Sequence, residues 1–278
     1  MEYQIYQCFH DQGSYPEQKY ISDIRPALLC GSSATHRDTD DITGCLRDDT
    51  GENISSENPQ YSELTGYYWV WRNRPSNYVG IEHYRRHFLS THVKEIDGEV
   101  KSEDLLTADE IQEILNQCDI IIPVHESLWN TSVFDLYEIC FYEQSIEMVH
   151  WMNEYFKLDK NYTKSVHNYL ANNVLVRGNM LITTWQRFNH YCCEMFNMIN
   201  FIKARMKVKP ESRVWGYITG TFPMIYINRW NLSYKEVHVA VDDFDWEKHE
   251  PKLFTTLHNK EVVFDKDKEE QIRYLASL

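Results

Sequence analysis

Four short runs of β-forming residues, Tyr3–Phe9, Tyr78–Tyr84, Asp119–Pro123 and Asn179–Thr183, are separated by stretches whose apolar residues recur at helical spacing. That interleaving predicts an α/β sheet with helices on its faces, because such strands need cover on both sides and the intervening helices supply it. A β-sandwich or a helical bundle would need its strands or helices in uninterrupted series. Asn58 is expected to cap a helix with Pro59 in its first turn, where the missing N–H costs nothing. Tyr61, Leu64, Tyr68 and Trp71 then share one face, and Arg74-Pro75 ends the helix. Thr107 and Glu110 form a capping-box pattern for a helix to about Gln117, while Phe134 to Phe156 and Trp185 to Met206 read as longer helices. The Gly-, Ser-, Thr- and Asp-rich stretch from Leu28 to Gly44 reads as irregular. With no repeat and no linker, residues 1–241 are expected to form a single domain, followed by a charged extension over 242–278.

Composition narrows the function. A chain of 278 residues with 42% hydrophobic content can bury a substantial core, and a net charge of −14 argues against a nucleic-acid partner, which demands a clustered positive excess. The N-terminus lacks a basic segment followed by a long apolar one, and no eighteen apolar residues run together, so a soluble intracellular protein is expected. Seven cysteines, an odd number without a CxxC pair, read as free thiols. There is no HExxH and no His/Cys ligand spacing for a structural metal, and no P-loop or GxGxxG for a nucleotide cradle.

One basic cluster stands out against the acidic background. His83, Tyr84, Arg85 and Arg86 close an apolar run containing Gly80, and open α/β sheets bind ligands beyond the carboxyl ends of their strands. The glycine is expected to allow close backbone approach, and paired guanidinium forks suit a diphosphate. Upstream, Asp48-Asp49 reads either as an acidic pair for magnesium or manganese or as turn residues bonding their own backbone. Asn53 and Ser55 read equally as sugar contacts or as turn and cap residues. Glu63, a carboxylate among apolar neighbours, must reach solvent or find a cation such as Arg85 or Arg86. The dense aromatic patch Tyr67-Tyr68-Trp69-Val70-Trp71 reads as core.

Taken in order, Asp48-Asp49-Thr50-Gly51-Glu52-Asn53-Ile54-Ser55, Tyr61-Ser62-Glu63-Leu64-Thr65, Trp71-Arg72-Asn73 and Gly80-Ile81-Glu82-His83-Tyr84-Arg85-Arg86 form a motif series, continued by Asp119–Pro123, Asn179-Met180 and Arg213-Val214-Trp215-Gly216-Tyr217. The series resembles that of a bacterial capsular and exopolysaccharide biosynthesis family, long filed as a domain of unknown function (DUF4422) and associated with galactofuranosyltransferase activity. The resemblance implies a GT-A-like, Rossmann-related mixed sheet flanked by helices. It also implies transfer of a hexose, galactofuranose or another, from a UDP-sugar donor to a glycan or lipid-linked glycan acceptor of a growing surface polysaccharide. The setting would be cytoplasmic, with at most peripheral contact at the inner face of the membrane. Donor binding then falls to His10, Asn53, Ser55, Glu63, His83, Tyr84, Arg85, Arg86 and Asn179. Where many related folds carry Asp-x-Asp for a divalent metal, this chain has His83-Tyr84-Arg85-Arg86. Guanidinium charge in place of a metal cofactor is therefore the expectation, with Asp48, Asp49 and Mn or Mg as the alternative.

The chain also departs from that family pattern. Phe141 and Ser145 stand where a His and an Asp are expected four residues apart, and Gly220-Thr221, with Pro223 breaking the helix, stand near an expected Glu-Arg. Sugar transfer needs a group to take the acceptor's proton, and the nearest remaining carboxylates are Glu138 and Glu143. The alternative reading is a degenerate relative that binds a nucleotide-sugar or glycan without catalysis.

Overall fold

The computed structural model describes residues 3–34, 41–93, 100–128, 132–135, 145–157, 159–176, 178–207 and 213–241. Its strands are β1 (Tyr3–Phe9), β2 (Ala27–Leu29), β3 (Leu46–Arg47), β4 (Tyr78–His83), β5 (Arg86–Phe88), β6 (Ile120–Pro123), β7 (Glu126–Ser127), β8 (Val174–Leu175), β9 (Leu181–Thr184), β10 (Tyr234–Val237) and β11 (Val239–Val241). Nine of them build one sheet in the order β10-β6-β9-β4-β1-β2-β3, with β5 paired to β4 and β11; β7 and β8 form a separate ribbon. Along that path neighbours are parallel except β9, which runs antiparallel to both β4 and β6. The interleaved sequence pattern thus becomes a mixed sheet whose first half, β1 to β4, is wholly parallel.

Side chains alternate across this sheet, as the two-residue period of a strand dictates. Ile120 and Ile122 face the larger core, which is closed by α4 (Ser145–Phe156), α5 (Lys160–Ala171) and α6 (Trp185–Lys203), while Ile121 joins Ile5, Ile182 and the α3 (Ala108–Leu115) residues Ile111 and Leu115 on the other side. Gly80 lies in this second core. A Cβ there would come within 2.8 Å of Ile182 and 3.3 Å of Ile5, so the missing side chain makes room for core packing and not for a ligand, contrary to the expectation from sequence.

The helix expected from Asn58 to Arg74 is two helices, α1 (Asn58–Tyr61) and α2 (Leu64–Asn73). Between them Ser62 takes φ 51°, a left-handed value unusual for a residue with a side chain. The break is held by Asn58, whose Nδ2 donates to Ser62 O at 2.7 Å and to Thr65 Oγ1 at 3.2 Å. Asn58 therefore stabilises a discontinuity inside the element it was expected to cap. The stretch expected to be irregular supplies β2, a strand too short to show a period. The polar α5 carries no strong sequence signal either.

At α3 the capping box is present: Thr107 Oγ1 accepts from Glu110 N at 3.3 Å and Glu110 Oε2 accepts from Thr107 N at 2.9 Å. Thr107→Ala is expected to cost about 1 kcal/mol of stability, read as a lowered denaturation midpoint at unchanged m-value. Six cysteines are described and all are free thiols. Glu138, Cys140, Phe141, Glu143, the Ser145 side chain and the whole of 242–278 lie outside the described residues.

Candidate functional site

β1 and β4 are parallel neighbours in a register that sets Cys8 opposite His83. His10, just past the end of β1, therefore lies beside the end of β4, and its ring meets the edge of Tyr84 at 5.3 Å. β4 does not simply end there. It turns back through Tyr84 and Arg85 into β5, so that His83 and Arg86 are cross-strand partners. The Arg-Arg pair expected at a strand terminus is thus split by a hairpin. His83 and Arg86 share one face, Arg85 is exposed at the tip with its guanidinium 5.3 Å from the Tyr84 ring centre, and Glu82 and His87 occupy the opposite face.

The facing wall comes from three other places in the chain. The break at Ser62 puts Glu63 at the head of α2, where Asn179 Nδ2 donates to its Oε1. The same Asn179 nitrogen donates to Gly216 O of α7 (Val214–Thr219) at 2.9 Å, and Tyr67 OH donates to Asn179 O at 2.5 Å. Glu63 Oε1 sits 3.8 Å from His83 Nε2. Gly178, at φ +75°, passes close to the cationic wall: its missing Cβ would lie 3.6 Å from an Arg86 nitrogen and 3.7 Å from the His83 ring. His10, Glu63, His83, Arg86 and Asn179 are therefore gathered at the carboxyl ends of β1 and β4 and the amino end of β9.

Their electrostatics follow from burial and from one another. Burial, then the charges of Arg86, Arg85 and His10, push His83 down to about 3, so its imidazole is neutral at physiological pH. Burial pushes the Glu63 carboxyl up; the Asn179 hydrogen bond, its own backbone N–H and the charges of Arg86 and Arg213 offset this only in part. Arg213 was not singled out in the sequence as a charge. It sits at φ 51°, immediately before α7. Two buried polar atoms, His83 Nε2 and Asn179 Oδ1, have no hydrogen-bond partner among the described residues. They are two of eleven such atoms among the described residues, and both belong to side chains that adjoin Glu63.

Asn53 and Ser55 do not join this group. Asn53 Nδ2 donates to Asp49 O at 3.1 Å and Gly51 O at 3.0 Å, and its Oδ1 accepts from Ser55 N at 3.2 Å. Ser55 Oγ donates to Asp48 Oδ1 at 2.5 Å and accepts from Ser33 N at 3.0 Å. The side-chain polar atoms of both are taken up by the 48–55 segment and by Ser33. Asp48 is fully buried, accepting also from Gly31 N at 2.7 Å and from Ser32 N and Oγ at 3.1 and 2.8 Å; Asp49 pairs with Arg47 at 3.6 Å. The acidic pair therefore does not fit a divalent ion, since Asp48 would have to give up hydrogen bonds that hold its loop. Among the described residues no three His, Cys, Asp or Glu converge as a ligand set. Gly220 and Thr221 lie between α7 and α8 (Phe222–Trp230), with Pro223 in the first turn of α8, so the helix breaks where the proline requires it.

Behind the hairpin is a group that sequence reasoning missed. Glu82 is fully buried and accepts from Arg25 NH1 at 2.6 Å and from Phe88 N at 2.9 Å, with His87 Nδ1 at 3.5 Å. A signal existed: in a two-residue alternation Glu82 cannot share a face with His83, so it had to find a buried cation elsewhere.

Over residues 4–231 the sequence matches a family described as a domain of unknown function (DUF4422). No curated protein matches the chain. Among solved structures, the apo form of the bifunctional glycosyltransferase WbbM is similar, with TM-score 0.74 and 25% identity over 87% of this chain and 46% of that one. This chain thus spans about half the length of that protein. The shared architecture is a GT-A-like α/β fold: a mixed, mostly parallel sheet flanked by helices.

Proposed function

The chain belongs to the DUF4422 family, and we propose that it is a glycosyltransferase that moves a hexose from a UDP-sugar to a bacterial surface glycan or its lipid-linked precursor. The observation that carries this reading is the convergence of His10, His83, Arg85 and Arg86 at the carboxyl ends of β1 and β4 in a chain of net charge −14. Concentrated positive charge at that end of a parallel sheet suits a diphosphate, with the half-buried Arg86 as its principal anchor and Arg85 at the rim. Tyr84 and His10 shape the floor, and Asn179 fixes the opposite wall. Transfer breaks the bond between the anomeric carbon and the diphosphate, and the guanidinium groups offset the charge that departs. The reacting unit is residues 1–241, with 242–278 as an extension. Among the described residues no helix is long and apolar enough to cross a membrane, and we place the reaction in the cytoplasm with at most peripheral contact at the membrane's inner face.

Calorimetric titration with UDP tests the donor site directly. Because arginines supply the charge, binding is expected to be unchanged in excess EDTA. Loss of binding in EDTA with recovery in manganese would sink the guanidinium reading.

A further inference from the structure

Sugar transfer needs a proton acceptor at the incoming hydroxyl, and the imidazoles and carboxylate gathered at these strand ends are His10, His83 and Glu63. His10 is engaged at both ring nitrogens, Nδ1 with Ser14 Oγ and Nε2 with Asp11, each at 3.2 Å. His83 is half-buried beside two arginines that oppose any further positive charge. Glu63 differs from both. Asn179 holds its Oε1, and Asn179 is itself fixed through Gly216 O and Tyr67, whereas Oε2 receives no hydrogen bond from another described residue. The side chain is 16% exposed, withdrawn from bulk water yet reachable.

The backbone around Glu63 supplies an independent observation. Ser62, its immediate neighbour, and Arg213, whose charge acts on it, are both non-glycine residues at φ 51°. Left-handed backbone in residues with side chains costs of order 1–3 kcal/mol each and collects at sites where a side chain must be aimed. Without the turn at Ser62, α1 would continue into α2 and Glu63 would not head a helix facing His83. Glu63 Oε1 is 3.8 Å from His83 Nε2, and His83 is the cross-strand partner of Arg86, so a diphosphate held at Arg86 and a hydroxyl bound at Oε2 lie within the reach of a single sugar ring.

We propose that Glu63 is the general base of the transfer and that Asn179 is its positioning residue. The inference rests on the transferase reading above. The acceptor's O–H proton passes to Glu63 Oε2, and the oxygen's freed pair forms the bond to the anomeric carbon. The anomeric C–O bond breaks with its electrons leaving on UDP, whose charge Arg85 and Arg86 offset. A carboxyl raised by burial is better matched to this task near neutral pH than an exposed one. The groups facing it are His83 from β4, Arg86 from β5, Arg213 ahead of α7, Tyr67 of its own helix and Cys30 just beyond β2.

The test uses the full chain with UDP-galactofuranose and UDP-galactopyranose, assaying transfer to native cell glycan and hydrolysis with water as acceptor, beside UDP calorimetry and thermal unfolding. Glu63→Gln is expected to bind UDP within about threefold of wild type while kcat falls on the order of 100-fold or more. The acid limb of the wild-type kcat profile, where the carboxyl takes a proton and can no longer accept one, should vanish in the variant. Glu63→Asp, which keeps the charge, should recover part of the rate. Turnover within tenfold of wild type in Glu63→Gln, a parallel loss of UDP affinity and turnover, or a wild type that binds UDP but neither transfers nor hydrolyses would each overturn the base. A wild type that fails to bind UDP would overturn the donor reading and the base with it, so the wild-type isotherm distinguishes the two failures.

Discussion

Replacing Arg85 and Arg86 together with alanine is expected to weaken UDP binding by about 100- to 1,000-fold while leaving the fold intact. The magnitude follows from charge-assisted hydrogen bonds, each contributing roughly 1.5–3 kcal/mol, and from ~1.4 kcal/mol per tenfold in affinity. The two arginines are not equivalent. Arg86 is half-buried beside His83 and Gly178, where solvent screens little, whereas Arg85 is exposed at the hairpin tip. Arg86→Ala alone should therefore account for most of the loss. Arg85→Ala should cost about tenfold or less, an effect that shrinks further as salt is raised. Stability should survive because Arg86 is only half-buried and its neighbour His83, neutral at physiological pH, does not need its charge; the one electrostatic loss is a partial counter-charge to Glu63. Titrations of the single and double variants at two ionic strengths settle the matter. A folded double variant with wild-type affinity for UDP would end the assignment of this cluster to the diphosphate.

The site was legible in the sequence where chemistry is local and illegible where it depends on chain reversal. His83, Arg85 and Arg86 stand in one run of residues, and the apolar strand before them fixes which end of the sheet they reach. Asn179 precedes β9 closely enough to be placed with them. Asn53 and Ser55 stayed open to two readings because the groups that contact a sugar are also the groups that close a turn, and only the partners in space decide between them. The hairpin at Tyr84-Arg85 went unseen because it carries neither glycine nor asparagine, the residues that usually announce a two-residue turn. The split between α1 and α2 was hidden for a related reason: Ser62 adopts a backbone that its side chain does not favour, under hydrogen bonds from a residue that looked like a cap. At Asn53, Ser55 and Ser62 the deciding hydrogen bonds are local, yet residue type alone does not say which of several nearby partners a side chain will take. The split at Ser62 lies beside Glu63, the carboxylate proposed as the base.

The hairpin itself depends on the ion pair behind it, and Glu82→Ala is expected to destabilise the protein by about 3–5 kcal/mol. Arg25 and Glu82 are 3% and 0% exposed, so removing the carboxylate leaves a buried guanidinium with its charge uncompensated. It also removes the acceptor for Phe88 N, the bond that ties β5 to β4 beyond the turn. Arg25 NH2 still donates to Leu106 O at 2.5 Å, but a carbonyl offsets a charge poorly. The pH dependence has a definite sign. Burial works to raise the Glu82 carboxyl, yet the charge of Arg25 and the contact with His87 prevail and hold it down to about 2. An unfolded glutamate titrates near ~4.3, so as pH falls the unfolded chain takes up this proton first. The contribution is complete above about pH 4.3 and is lost progressively toward pH 2. Glu82→Gln should therefore lower the unfolding midpoint at pH 7 and flatten its decline across that acid window. Replacing both partners, Arg25→Met with Glu82→Leu, should recover much of the loss, because burying neither charge avoids the desolvation cost of both. A Glu82→Ala variant as stable as wild type at pH 7 would mean that Arg25 finds another counter-charge, and the hairpin that presents Arg86 would then owe its position to something other than this pair.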